Sequence, residues 1–312
     1  MKGTMALLCS IFSLLLSSGL GTTGQPASIS DTILIRDWLL CGPFPVGTRE
    51  GISGQVEDAA TVKPVEGETL RSGLVQGGKV VWHRVRADSL GWIETDYDSV
   101  RWDSIQDYYG IAGLSAVGFA YAEFSVPGAC RCLAVATKIG GFSLNGRGYL
   151  GDVYGNGWFR TPLLLDSGVN RVVLRISGYG DQRVRFLLVP VPGPVLVITQ
   201  DITAPDIVAD NEKRDSSWLG VPVLNTTTAT IDSLTLRFFC DTIPLGEVKV
   251  RNIPGLGVKK EPVRLNIAGV TADTGGILLT VQLTGEGFEQ TDTFRLRHRK
   301  LAEPHKESFI SR

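Results

Sequence analysis

The segment Gly151-Asp-Val-Tyr-Gly-Asn-Gly-Trp-Phe-Arg160 collects side chains suited to holding a small polar molecule. Tyr154 and Trp158 offer flat rings that can stack on the C–H faces of a sugar. Asp152, Asn156 and Arg160 offer groups that bond sugar hydroxyls. Asn145 joins this set, because the hairpin it predicts lies just upstream. The interleaved glycines suit tight turns, so a plain packing loop explains the same pattern. Asp152 and Asn156 are also hard oxygen donors, but two side chains fall well short of a calcium shell. The expectation is a glycan ligand, with no metal and no cofactor.

Other chemistries find less support. A hydrolase nucleophile elbow needs Gly-x-Ser-x-Gly on a strand-to-helix turn, and the chain contains no such run. His83 alternates with Val81 and Val85, while His298 and His305 lie in a charged stretch. Scattered histidines of this kind read as structural or solvated, not as general bases. Asp96, Asp98, Asp103 and Asp107 cluster with Trp92, Tyr97, Trp102, Tyr108 and Tyr109. Paired carboxylates can hydrolyse glycosides. A long loop whose aromatics cover a sheet edge accounts for the same residues and is preferred. No catalytic residue is assigned.

The elements that must position these groups are strands. The chain has 312 residues, 43% hydrophobic and 20% charged, with 37 glycines and a net charge of -1. Such a balance supports a packed core and excludes a dedicated nucleic-acid binder, which would carry a basic patch. Phe119–Val126 alternates, placing Ala120, Ala122, Phe124 and Val126 on one face. In Asn170–Ser177 the same period turns Val172, Leu174 and Ile176 inward. A period of two with turn residues between runs is the mark of a sandwich. Asn145-Gly146 predicts a two-residue hairpin, since both residues tolerate positive φ. Beyond the Pro-rich connector 189–195, strand-like runs recur about every ten residues, as in an immunoglobulin-like sandwich. Helix is expected only around Asp103–Gly110.

Lys2, the apolar stretch Met5–Leu16 and the small residues that follow have the order of an export signal. That core is short for a membrane span, and no later segment is apolar enough to be one. Export would leave Cys41, Cys130, Cys132 and Cys240. Cys130 and Cys132 share a strand face and are not expected to pair. Cys240 is expected as a buried thiol, and a link from Cys41 to Cys130 or Cys132 stays open. Asn225-Thr-Thr227 matches a glycosylation acceptor but also suits an ordinary strand end.

Several motifs carry a family resemblance. Trp38-Leu-Leu-Cys-Gly-Pro-Phe-Pro45, Ala116-Val-Gly-Phe-Ala-Tyr-Ala-Glu123, Ser143-Leu-Asn-Gly146 and Gly168-Val-Asn170 resemble, in that order, accessory domains of secreted bacterial hydrolases. Such domains are jelly rolls similar to galactose-binding modules. Pro205-Asp-Ile-Val208 and Val223-Leu-Asn225 resemble the adhesion-type immunoglobulin-like domains that often follow. His305-Lys-Glu-Ser-Phe-Ile-Ser311 resembles the junction before an α/β-hydrolase domain of the prolyl-oligopeptidase type.

The resemblance implies an all-β chain: an export signal over 1–27, a jelly-roll-like domain over 31–200 and an immunoglobulin-like domain over 204–300. Residues 301–312 would form a linker into a covalently attached catalytic domain. The expected function is a non-catalytic accessory or binding region of an exported hydrolase. The alternative is a stand-alone secreted glycan-binding or adhesion protein. A glycosidase using the acidic aromatic segment is the more distant reading.

Overall fold

Alternation of apolar residues builds two sandwiches in the computed structural model. It describes residues 25–45, 63–97, 100–110, 115–152, 154–179, 182–205, 207–209, 216–268, 270 and 276–300. Most of the expected export signal, Asp98 and the stretch 301–312 lie outside these.

The first part runs β1 (Asp37–Pro45), β2 (Thr69–Arg71), β3 (Lys79–Val81), β4 (His83–Arg86), β5 (Trp92–Thr95), α1 (Trp102–Tyr109) and β6 (Ser115–Val126). It continues through β7 (Cys130–Thr137), β8 (Gly141–Leu144), β9 (Arg147–Leu150), β10 (Thr161–Leu165), β11 (Gly168–Tyr179) and β12 (Gln182–Val189). One sheet has the order β4-β1-β6-β11-β8-β9 and the other β10-β7-β12-β5. From β5 onward the chain changes sheet at nearly every step, which is jelly-roll winding.

Between these sheets lie Trp38, Ala120, Ala122, Cys132, Val172, Leu174, Ile176 and Phe186. The opposite face of β6 is buried too. Val117, Phe119 and Tyr121 pack there under Val80, Trp82 and Tyr97, with Trp102 and Ile105 of α1 against them. The central strand therefore reads as an almost continuous apolar run, as strands covered on both faces do. Gly118 is required at this crossing, because a methyl group there would run into the Tyr97 hydroxyl. The expected Lys79–Arg86 strand breaks at the buried Trp82 into β3 and β4. The expected strand from Thr32 begins only at Asp37, since Ile33 makes no more than an isolated bridge to Leu188.

The second part comprises β13 (Val195–Val197), β14 (Ile207–Ala209), β15 (Ser216–Asn225), β16 (Ile231–Cys240), β17 (Ile243–Ile253) and β18 (Val258–Asn266). Then follow β19 (Ile277–Gly285), β20 (Phe288–Leu296) and β21 (His298–Lys300). Sheets β13-β15-β18 and β17-β16-β19-β20 enclose Val221, Val223, Leu236, Phe238, Val263 and Leu279. Hairpins β16–β17 and β19–β20 lie in one sheet, while the chain crosses between sheets after β15, β17 and β18. This three-plus-four division is immunoglobulin-like.

The two parts touch through Leu133, Leu196 and Leu224. Arg131 spans the junction, its Nε donating to Pro26 O at 2.7 Å and its Nη1 to Thr226 O at 3.0 Å. The Pro-rich connector is held from both sides. Val191 N–H donates to Ser28 Oγ at 2.8 Å, and Thr226 Oγ1 donates to Gly193 O at 2.6 Å.

The four described cysteines are free thiols. Cys41 lies in the core outside the six-stranded sheet and Cys132 in the core inside it, so the link left open between them is not made. Asn225 is fully buried, and its Nδ2 donates to Ala229 O and Ile253 O. Its amide thus serves as a strand-end clamp, and this fold leaves no room for a glycan on that nitrogen.

Candidate functional site

Asp152 organises the loop that joins β9 to β10. Its backbone bridges Thr137 at the end of β7, and its N–H donates to Ala136 O at 3.0 Å. Its carboxylate is buried and accepts backbone N–H groups from Asn156 at 3.2 Å and Gly157 at 2.6 Å. Gly155 and Gly157 both have positive φ, which lets the backbone curl around that carboxylate. Arg160 closes the loop, with Nη1 donating to Gly157 O at 2.8 Å and Phe159 O at 3.0 Å. Burial and the charge of Arg185 push the Arg160 guanidinium below its ordinary pKa, while Asp152 pulls it upward.

The loop's internal bonds leave the Tyr154 and Trp158 rings outside, while Phe159 is half-buried. Tyr154 is 88% exposed and Trp158 is 36% exposed. Trp158 forms one wall of a cleft of about 590 Å³, whose other walls come from the second sandwich. There the chain leaves β13 through a short 3-10 turn, Thr199–Asp201, and passes beside β20. Gln200, Asp201, Thr203, Thr293 and Arg297 line it with hydrogen-bonding groups. Asp201 is partly neutralised by Lys260, whose Nζ lies 3.6 Å from Oδ1.

The expected residues thus divide. Trp158 faces the cleft, Tyr154 faces solvent, and Asp152 and Arg160 hold the loop. Asn156 contributes its backbone N–H to that hold. Asn145 stands apart. Its Nδ2 donates to Asp166 Oδ2 at 2.8 Å and Asn170 Oδ1 at 2.9 Å, and its Oδ1 accepts Arg171 N–H at 2.8 Å. It pins the β8–β9 hairpin to β11, with both its Nδ2 hydrogens and its Oδ1 engaged within the protein. The cleft residues from 199–205 and 293–297 escaped sequence reasoning, because they come from a sheet-crossing segment and an edge strand with no motif.

The acidic aromatic segment does not line the cleft at Trp158. Tyr97 is buried and Trp102 half-buried against the six-stranded sheet, while Asp103 and Asp107 are exposed on α1. A different carboxylate is more strongly held. Glu123 accepts Lys63 Nζ at 3.0 Å, Tyr121 Oη at 2.8 Å and Arg171 Nε at 3.1 Å. Lys63 first, then Tyr121 and Arg171, draw its pKa down to about 2. Burial, then Glu123 itself, raises the Tyr121 phenol. This cluster ties residue 63 to the sheet. Among the described residues no group of three or more His, Cys, Asp or Glu could hold a metal ion, and no helix is long and apolar enough to cross a membrane.

No family model and no curated protein matches the chain. Among solved structures it is similar to a β-glucuronidase from Ruminococcus gnavus, with 12% identity and a TM-score of 0.33, covering 87% of this chain and 46% of that one. It is also similar to the exo-chitosanase CsxA of Amycolatopsis orientalis, with 14% identity and a TM-score of 0.33, covering 85% of this chain and 34% of that one. The chain thus spans less than half the length of either. Both are glycoside hydrolases, and the expected kinship with the prolyl-oligopeptidase type is not shown by these matches. Likeness this loose says nothing about a site or an activity.

Proposed function

We propose that the chain is the non-catalytic, glycan-binding region of an exported hydrolase. The observation that carries this reading is Trp158 at the wall of a cleft that mixes polar residues such as Gln200, Thr203, Thr293 and Arg297 with apolar ones such as Ile202 and Pro205. An indole plane beside amide, hydroxyl and guanidinium groups suits a sugar ring, which offers an apolar face and a rim of hydroxyls. The buried Asp152 carboxylate and the Arg160 bonds hold the loop, so the platform is set before a ligand arrives. Export is supported by Lys2 and the apolar stretch Met5–Leu16. Attachment to a catalytic domain is the expectation from the motif resemblance.

Calorimetric titration with neutral oligosaccharides tests the reading. Trp158→Ala should weaken binding about tenfold or more, as removal of a central aromatic contact does. Equal binding by variant and wild type would reject the cleft as the site. The attached domain is checked separately, by the intact mass of the native exported polypeptide isolated with an antibody to the first sandwich. A mass no larger than that of this chain would favour a stand-alone binding protein.

A further inference from the structure

Four side chains form a row across the outer face of the four-stranded sheet, although no two are neighbours in sequence. Trp92 of β5 pairs with Arg185 of β12, Arg185 pairs with Thr137 of β7, and Thr137 bridges Asp152. Residues paired in this way point to the same side of a sheet. Their outward direction follows from their neighbours Ile93, Val184 and Ala136, which lie in the inner core. The Arg185 guanidinium sits over the Trp92 ring at 4.8 Å from its centre.

The row contains unmet hydrogen-bonding capacity. Arg185 Nε and Thr137 Oγ1 are both buried without a partner among the described residues. Thr137 as a whole is only 5% exposed. Buried polar atoms are normally satisfied, and an orphaned one costs free energy until something meets it. The neighbouring carboxylate does not meet it, since the bonds Asp152 accepts come from the backbone of Asn156 and Gly157. Arg160 approaches from the loop with its Nη1 held by Gly157 O and Phe159 O, and its charge is felt alongside that of Arg185. Asp152 sets one negative charge against the two guanidiniums, so the place keeps a net positive charge that suits a further anion. Guanidinium geometry fits carboxylate and sulfate oxygens in particular.

We propose that Arg160, Arg185 and Thr137 form a receptor site for the carboxylate or sulfate group of an acidic saccharide. Trp158 lies two residues from Arg160, so the aromatic platform and the anion site belong to one loop. The preferred ligand is then a polyanionic glycan, bound more tightly than a neutral one. This rests on the carbohydrate-binding reading above and narrows it to a substrate class.

Titration of the full chain at one fixed salt concentration decides the matter. Three probes suffice: a hyaluronan oligomer carrying carboxylates only, a sulfated galactan oligomer carrying sulfates only, and a neutral cello-oligosaccharide. At least one anionic probe should bind tighter than the neutral one. Arg185→Gln and Thr137→Val should each weaken that probe, by on the order of tenfold for the arginine, and leave the neutral probe unchanged. Preference for hyaluronan identifies a carboxylate, preference for the galactan a sulfate, and equal gain from both a general oxyanion site.

The proposal is overturned if anionic probes bind no tighter than the neutral one, or if both variants bind them as wild type does. If neutral binding then still depends on Trp158, the anion site alone has failed. If no probe binds wild type, the carbohydrate reading has failed with it. Thr137→Val keeps the side-chain shape and serves alone should Arg185→Gln not fold.

Discussion

Asn145 and Asn170 are joined amide to amide, with Asn145 Nδ2 donating to Asn170 Oδ1 at 2.9 Å. Asn170 is fully buried and donates in turn to Asp166 O at 2.8 Å. The pair locks the β8–β9 hairpin to the turn that starts β11. Replacing Asn145 by glycine isolates these bonds, because glycine suits the φ of +50° held there. Asn145→Gly should lose about 1–3 kcal/mol in denaturant unfolding, the worth of a few hydrogen bonds. Its sugar titration should match wild type, since Asn145 is remote from the cleft lining.

Asp152→Ala attacks the loop from inside. Two backbone N–H groups would lose a charged acceptor, at a cost of about 2–4 kcal/mol. The loop should loosen, and binding through Trp158 should fall although no cleft residue has changed. Hydrogen exchange at Asn156 and Gly157 reports the loosening directly. Protection unchanged at both amides would show that Asp152 does not hold the loop.

Glu123 sets an acid limb. Its folded pKa of about 2 lies below the ordinary glutamate value near 4.3. The unfolded chain therefore takes up the proton first, and the stabilisation is complete above that ordinary value. It disappears as pH falls through about 2. Glu123→Gln removes the charge that Lys63 and Arg171 face. The stability gap between wild type and variant should be largest near neutrality and shrink between about pH 4.5 and pH 2. A gap constant over that window would mean that the ion pairs contribute nothing, as many exposed pairs do.

The thiols should differ in reactivity. Burial pushes Cys41 up to about 12 and raises Cys132 as well. Cys130 and Cys240 are half-buried, with smaller upward shifts. Alkylation of the native protein near pH 8 followed by peptide mass analysis should label Cys130 and Cys240 well before Cys41 and Cys132, because only accessible thiolate reacts. Early labelling of Cys41 would contradict its place under Trp82.

The sandwiches were legible because alternation is a local property. Ala120, Ala122, Val172, Leu174 and Ile176 fall on the inner faces that their spacing predicts. The Asn145-Gly146 hairpin forms between β8 and β9, with both residues at positive φ. Short strands such as β2, β13 and β14 carry too few residues to show a period. The site was legible only as a loop. Trp158 stood out by type, but its opposite wall depends on where the chain from β13 crosses to β20. The row of Trp92, Arg185, Thr137 and Asp152 depends on strand register across four segments, which no one stretch of sequence encodes. The structural bonds of Asn145 were hidden for the opposite reason. Its side chain is spent on Asp166, Asn170 and Arg171, which are distant in sequence but adjacent across the sheet.

The cleft at Trp158 takes one wall from each sandwich, and Arg131 with the Leu133, Leu196 and Leu224 contact ties the two together. Its width is therefore a gauge of the angle between the two bodies. A polymer seated there would work as a strut, stiffening the joint against torsion.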